Sequence, residues 1–193
     1  MKLISPGTCL VRSCRPFLLL LLGALPVFAQ QSDFNAIKTK AEKGDAKAQT
    51  ELGQIYEVGQ GVKQDYAEAV KWYRKAAEQD YDEAENLLGD MYAGGLGVPN
   101  HSEAELDKEA ANWYRKAAEQ GNAKAQSNLG GMYRFGHGVP QDYVEAYKWF
   151  NLAASSGNTG ALRARDSTMK IMTSEQIAEG QRRASTFKAK KPQ

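Results

Sequence analysis

His101 and His137 are the only imidazoles in this 193-residue chain. Imidazole is the commonest metal ligand and the side chain that titrates nearest neutral pH. His137 fills the middle of a Gly-His-Gly turn, and His101 stands between Asn100 and Ser102. Neither belongs to an H-E-x-x-H pair, and no phosphate loop or G-x-S-x-G motif accompanies them. Both read as solvated loop residues. Carboxylate catalysis needs two acids held at a set separation in a cleft. Here the acids are spread along the chain in pairs such as Glu68 with Lys71, which suit a helix surface. Asn100-His101-Ser102 is a glycosylation triplet that matters only in a eukaryotic secretory pathway. Cys9 and Cys14 are the only thiols, and both lie near the N-terminus. The sequence predicts no catalytic residue, no cofactor and no metal.

Those cysteines sit in a segment of distinct character. Lys2, Arg12 and Arg15 form a basic start, Phe17 to Ala29 is apolar, and Val27-Phe28-Ala29 places small residues where a signal peptidase reads. This is the pattern of a secretory signal peptide. An apolar run of about 13 residues is short of the roughly 20 needed to span a bilayer. The pattern predicts cleavage near Ala29 and a product that does not span the membrane, exported to the periplasm or secreted. That product has no cysteine, so neither a disulfide framework nor a thiolate site can hold it.

Charge narrows the partners. The whole chain carries a formal net charge of +2, and removing residues 1–29 takes away three of the basic groups. A nucleic-acid binder shows a clear basic excess, so nucleic acid is not the expected partner. The remaining charge is uneven. Residues 163–193 hold eight basic and three acidic groups, whereas residues 30–162 are net acidic.

The elements that position every one of these residues come from an internal repeat. Leu52-Gly53-Gln54-Ile55-Tyr56 opens a block that ends at Val62 and recurs at Leu88 to Val98 and at Leu129 to Val139. A second block, Trp72 to Gln79, is repeated identically at Trp113 to Gln120 and more loosely from Trp149. Repeats of this length signify stacked supersecondary units. Each unit reads as two helices. Ala48, Leu52, Ile55, Tyr56 and Gly59 share one helical face, and Ala69, Trp72, Tyr73, Ala76 and Ala77 share another. No segment shows strand alternation. The predicted fold is all-α, an α-solenoid of stacked helix-turn-helix repeats.

Punctuation supports the division. Gly59-x-Gly61 stops the first helix, and Asp65 and Asp142 suit the cap of the second. Gly53, Gly89 and Gly130 lie inside helices, where glycine costs about 1 kcal/mol against alanine. Close approach of a partner helix, with a Trp or Tyr ring over the gap, would account for them. The organisation expected is a signal peptide over 1–29, a capping half-repeat over 30–44, repeats over 45–80, 81–121 and 122–157, and capping helices with a basic tail over 158–193. The closing helices fall near 159–171 and 174–189, with Thr173 and Gln176 as a capping box. The second repeat holds five extra residues before Trp113, so its connection is longer or its second helix starts earlier. The last residues, from Lys188 to Gln193, are expected to be frayed and solvated.

These residues resemble the Sel-1-like repeat (SLR) family. Ala48, Leu52, Gly53, Tyr56, Gly59, Gly61, Val62, Asp65, Ala69, Trp72, Ala76 and Ala77 match its pattern position by position, as do Ala125 through Gly157. The resemblance covers about residues 44–157. It implies a right-handed superhelix of helix pairs, like tetratricopeptide repeats, and a scaffold that binds other proteins. The five-residue insertion and the absence of cysteine pairs depart from some exported members.

In the related tetratricopeptide architecture, first helices line the concave surface. By helical phase the free positions there are Lys47, Thr50, Gln54 and Glu57 in unit one. Unit two supplies Glu83, Asn86 and Asp90, and unit three Lys124, Ser127, Arg134 and Phe135. Phe135 stands where the other units carry Val58 and Gly94, so packing does not require it. It is an interface anchor or a cover for its own turn. The expected function is an exported, non-enzymatic scaffold with a protein or peptide on its concave face. Two alternatives stay open: a cell-envelope hydrolase of peptidoglycan or β-lactams, which would need an activated serine, and a structural spacer.

Overall fold

The computed structural model of the chain describes residues 25–190, and of residues 25–32 the backbone alone. The basic start and most of the apolar run of the expected signal peptide lie outside the described residues, as do residues 191–193. Nine helices occur among the described residues, and no strand. Helix α1 spans Leu25–Glu42, α2 Ala46–Val58, α3 Tyr66–Ala77, α4 Asp82–Ala93, α5 Glu103–Gln120, α6 Ala123–Phe135, α7 Tyr143–Ser155, α8 Thr159–Met169 and α9 Ser174–Ser185. The architecture is a right-handed α-solenoid of helix-turn-helix units. Helices α2, α4 and α6 are the first helices of the three units, and α3, α5 and α7 the second. Helix α1 takes the place of a second helix ahead of unit one. It begins at Leu25, upstream of the half-repeat expected from the sequence.

Each unit places the same residues inward. Leu52, Leu88 and Leu129 are all fully buried, among alanines such as Ala69, Ala110 and Ala146. Burying one leucine stabilises a fold by about 1.5–3 kcal/mol, and small alanines let the helices approach. The helix-interior glycines mark the closest approach. A Cβ on Gly53 would lie 2.5 Å from the Tyr73 ring, one on Gly89 2.6 Å from Tyr114, and one on Gly130 2.7 Å from Phe150. The covering ring is thus the residue after the tryptophan and never the tryptophan. Gly180 of α9 repeats the device under Tyr147 of α7.

Turn glycines set the stacking between units. Gly97 and Gly138 adopt φ of +69° and +65°, a region that disfavours other residues. A Cβ on Gly97 would lie 2.3 Å from the Tyr66 carbonyl oxygen at the start of α3, and one on Gly138 2.2 Å from that of Asp107, one turn into α5. The extra residues of unit two extend its second helix, which has 18 residues against 12 in α3 and 13 in α7. Ser102 caps this longer helix in a capping box with Glu105. Asp65 and Asp142 cap α3 and α7.

Helices α8 and α9 close the stack on α7. Thr173 and Gln176 form a capping box at the start of α9. Arg183 of α9 bridges to Glu145 of α7 at 2.7 Å. Lys188 to Lys190 are exposed, as expected of a solvated tail, but the chain just before and within them makes two contacts. Phe187 packs edge-on against Trp149 with ring centroids 5.4 Å apart. The Lys190 N–H then donates to the Glu119 carbonyl at 2.8 Å, and its ammonium pairs with the Glu119 carboxylate. The basic end is thus solvated and at the same time tethered through Phe187 and Lys190.

Candidate functional site

First helices α2, α4 and α6 lie side by side and leave a groove of about 410 Å³. Its lining comes from all three: Gln54 of α2, Asp82, Glu83, Asn86 and Leu87 of α4, and Ala123 and Lys124 of α6 with its cap Asn122. Asn122 caps α6 through its carbonyl oxygen while its amide donates to Asp82 at 2.9 Å, joining adjacent units. Further along, Asp90 accepts from the Tyr114 hydroxyl at 2.7 Å, from Asn86 at 3.2 Å and from Asn128 at 3.2 Å. Glu57 accepts from the Tyr73 hydroxyl in the same manner. Burial, together with these carboxylates, pushes both phenols far above their ordinary pKa, so they remain donors.

The groove gathers four of the residues expected to face a partner: Gln54, Glu83, Asn86 and Lys124. Glu57 and Asp90 lie on the same helices but are engaged by the tyrosines. Lys47 is exposed and sits 3.9 Å from Glu51, and Ser127 is half-buried. Two residues differ from expectation. Thr50 is 2% exposed and returns its hydroxyl to the Ala46 carbonyl, and Asn86 is 3% exposed. Helical phase put both on the open side; Asn86 lines the groove but is covered there, with Asn128 of α6 donating to its side chain. Arg134 bonds Ser167 of α8 at 2.9 Å and stacks on the Phe135 ring. Phe135 is 63% exposed, beyond the groove, with His137 tilted beside it.

Sequence reasoning missed Asp82, Leu87, Asn122 and Asn128. Leu87 precedes the signature leucine and Asn122 caps α6, and helical phase within one unit picks out neither. Their signal is the inter-unit stagger, which brings the first turn of one helix against the middle of another.

The remaining chemistry stays dispersed. His101 contacts the Pro99 carbonyl, and His137, exposed as expected, lies 3.3 Å from Asp107 in the preceding unit. Among the described residues no three His, Cys, Asp or Glu side chains converge to hold a metal. The S-x-x-K spacing used by serine hydrolases occurs at Ser167–Lys170 and Ser185–Lys188. Both serines sit near helix C-termini. Ser167 is held by Arg134, and Ser185 bonds the Arg182 carbonyl. On the outer face, Lys75 and Lys116 lie over the rings of Trp72 and Trp113 at 4.0 and 4.1 Å. Among the described residues no helix is long and apolar enough to cross a membrane.

The Sel1 repeat pattern matches residues 46–81, 82–122 and 123–158, which are the three helix pairs. The chain belongs to the Sel1 repeat family. A Sel1 repeat protein from Oxalobacter formigenes has a solved structure that is 39% identical with a TM-score of 0.61. The match covers 70% of this chain and 98% of that one. The protective antigen c5321 of uropathogenic Escherichia coli, which displays an SLR fold, superposes with a TM-score of 0.74 at 35% identity. That match covers 82% of this chain and 33% of that one. Among curated proteins, the ERAD-associated E3 ubiquitin-protein ligase component HRD3A of Arabidopsis thaliana is 33% identical over 69 residues, 35% of this chain and 10% of that protein. Chitin synthase regulatory factor 3 of Schizosaccharomyces pombe is 41% identical over 76 residues, 38% of this chain and 8% of that protein. The chain therefore spans about a tenth of the length of these curated relatives, and what is shared is the Sel1 scaffold, an architecture for protein–protein interaction.

Proposed function

We propose that this Sel1 chain is an exported, non-catalytic scaffold that holds a protein or peptide in the first-helix groove. One contrast carries the reading. Positions facing the second helix barely change between units: Leu52, Leu88 and Leu129, with Gly53, Gly89 and Gly130 beside them. Positions on the groove side vary more: Lys47, Glu83 and Lys124 reverse charge in unit two, and Gln54, Asp90 and Gly131 differ in every unit. A spacer needs only the first set. Two relatives are named as a ligase component and as a regulatory factor, descriptions that fit a binding scaffold. Export rests on the basic start, the apolar run and Val27-Phe28-Ala29. Cleavage after Ala29 would keep Phe34, Ile37 and Ala41, which pack α1 on α2.

Tagged protein, isolated from envelope extract, should retain a partner whose affinity is then measured. Glu83→Lys with Lys124→Glu should weaken binding by about tenfold or more, equivalent to about 1.4 kcal/mol. Arg134→Ala with Phe135→Ala tests the neighbouring anchor, since arginine and aromatics dominate hot spots. Unchanged affinity in both double variants, or turnover of a chromogenic β-lactam by the purified protein, would overturn the reading. N-terminal sequencing of the exported form should begin near Gln30, and an intact Met1 chain in the membrane fraction would contradict export.

A further inference from the structure

Gln49, Glu85 and Gln126 occupy one repeat position, three residues before Leu52, Leu88 and Leu129. All three are buried, at 5%, 1% and 3% exposure. The two glutamines act as clasps between units. Gln49 donates its amide to the Ala41 carbonyl at 3.1 Å, and Gln126 donates to the Ala118 carbonyl at 3.1 Å. Each acceptor lies eight residues back, near the end of the preceding second helix. The other half of the clasp is a bond received. Gln79 donates to Gln49 Oε1 at 2.7 Å, and Gln120 donates to Glu85 Oε2 at 2.7 Å.

Unit two therefore has the receiving half intact. Its giving half falls, by repeat equivalence, on the Ala77 carbonyl. An ionised carboxylate has no proton to donate. Glu85 Oε1 is buried with no hydrogen-bond partner among the described residues. An ionised Glu85 would leave two acceptors facing one another in a dry joint, which is costly. We propose that Glu85 carries a proton in the folded protein and donates it from Oε1 to the Ala77 carbonyl, closing by protonation the clasp that Gln49 and Gln126 close with amides.

The surrounding charges are consistent with this. Burial is the main cause that pushes the Glu85 carboxyl up to about 7. Lys116 of α5 and the Gln120 amide pull it down, while Asp80 in the α3–α4 turn and Asp82 at the start of α4 push it up. From α3 the neighbour by repeat equivalence is the Ala77 carbonyl, the counterpart of Ala41 and Ala118. Among the described residues no cation lies within 4.0 Å of Glu85 to form an ion pair. The folded value lies above the unfolded one near 4.5. The stabilisation is thus complete below the unfolded value, declines as pH rises through the folded value, and is absent above it. Units one and two are joined by a proton-dependent clasp on α4, whose next residue, Asn86, lines the groove.

The test compares full-length wild type with Glu85→Gln, whose amide restores the donor. From pH 5 to pH 8 the folding equilibrium of wild type should fall on the order of a hundredfold relative to the variant. At pH 8 the variant should melt above wild type. Gln49→Glu should introduce a second decline of the same sign. The carboxyl carbon of Glu85, identified in the ¹³C spectrum by its loss in Glu85→Gln, should titrate well above free glutamate. A variant no more stable than wild type at pH 8, or a carboxyl carbon titrating near the ordinary value, would overturn the proposal.

Discussion

Units one and two close their helix pairs with a tyrosine, and unit three does so with Phe150. The ring is required in all three, because a glycine lies beneath it: Gly53 under Tyr73, Gly89 under Tyr114 and Gly130 under Phe150. The hydroxyl is not. Tyr73 gives its proton to Glu57 and Tyr114 to Asp90, acceptors from different registers of the first helix. Unit three has Gly131 in the register of Asp90, and a Cβ there would meet only open space. The fold therefore fixes the ring and leaves its polar end to the groove. Packing chemistry and groove chemistry meet within one side chain, and only the packing half repeats.

The largest effect should come from breaking the shared half. Gly89→Leu and Gly130→Leu each push a side chain into a ring, and overpacking costs about 1–3 kcal/mol, partly offset by better helix propensity. Chemical denaturation should show comparable losses in the two variants. A loss in one and none in the other would mean that the units do not close alike.

The next effect isolates the unshared half. Tyr114→Phe removes one bond to a carboxylate that keeps Asn86 and Asn128, and should cost about 1 kcal/mol. The reverse change, Phe150→Tyr, should move the denaturation midpoint by about 0.5 kcal/mol or less, since no acceptor stands in the Asp90 register. A clear gain from Phe150→Tyr would show that unit three keeps the polar contact by another route.

The smallest effect lies where unit three meets the cap. Glu179 accepts from Arg182 and Arg183, and those bonds hold its carboxyl at about 2, well below the ordinary value. The stabilisation is present above the ordinary value and lost as pH falls toward the depressed one. Water screens this exposed cluster, so Glu179→Gln should remove only a slight acid-side slope from the melting temperature. A large loss at neutral pH would make the cap, rather than helix packing, the source of stability at this end.

Much of the fold was legible because one chain supplied three copies of the same solution. Leu52, Gly53 and Trp72 recur, and recurrence separates what packing demands from what it tolerates. The closing helices were legible from Thr173 and Gln176. The groove was legible only in part. Helical phase within one unit located Gln54, Glu83, Asn86 and Lys124, but it did not show that Thr50 and Asn86 are buried. Burial at such positions depends on contacts between units, such as the bond from Asn128 to Asn86. The helical phase of a single unit carries no record of such contacts between units. The tail's lysines are in solvent as their character suggested, while the Phe187–Trp149 contact that tethers it, two elements away, was not legible.

The most direct measurement is an NMR titration of ¹⁵N-labelled protein with the partner recovered from extract. Tryptophan indoles on the second helices and amides on the first report the two faces separately. The account predicts shifts at Gln54, Glu83, Leu87 and Lys124, with the indole signals of Trp72 and Trp113 unmoved. Shifts confined to those two indoles, with the groove amides silent, would place recognition on the outer face and contradict it.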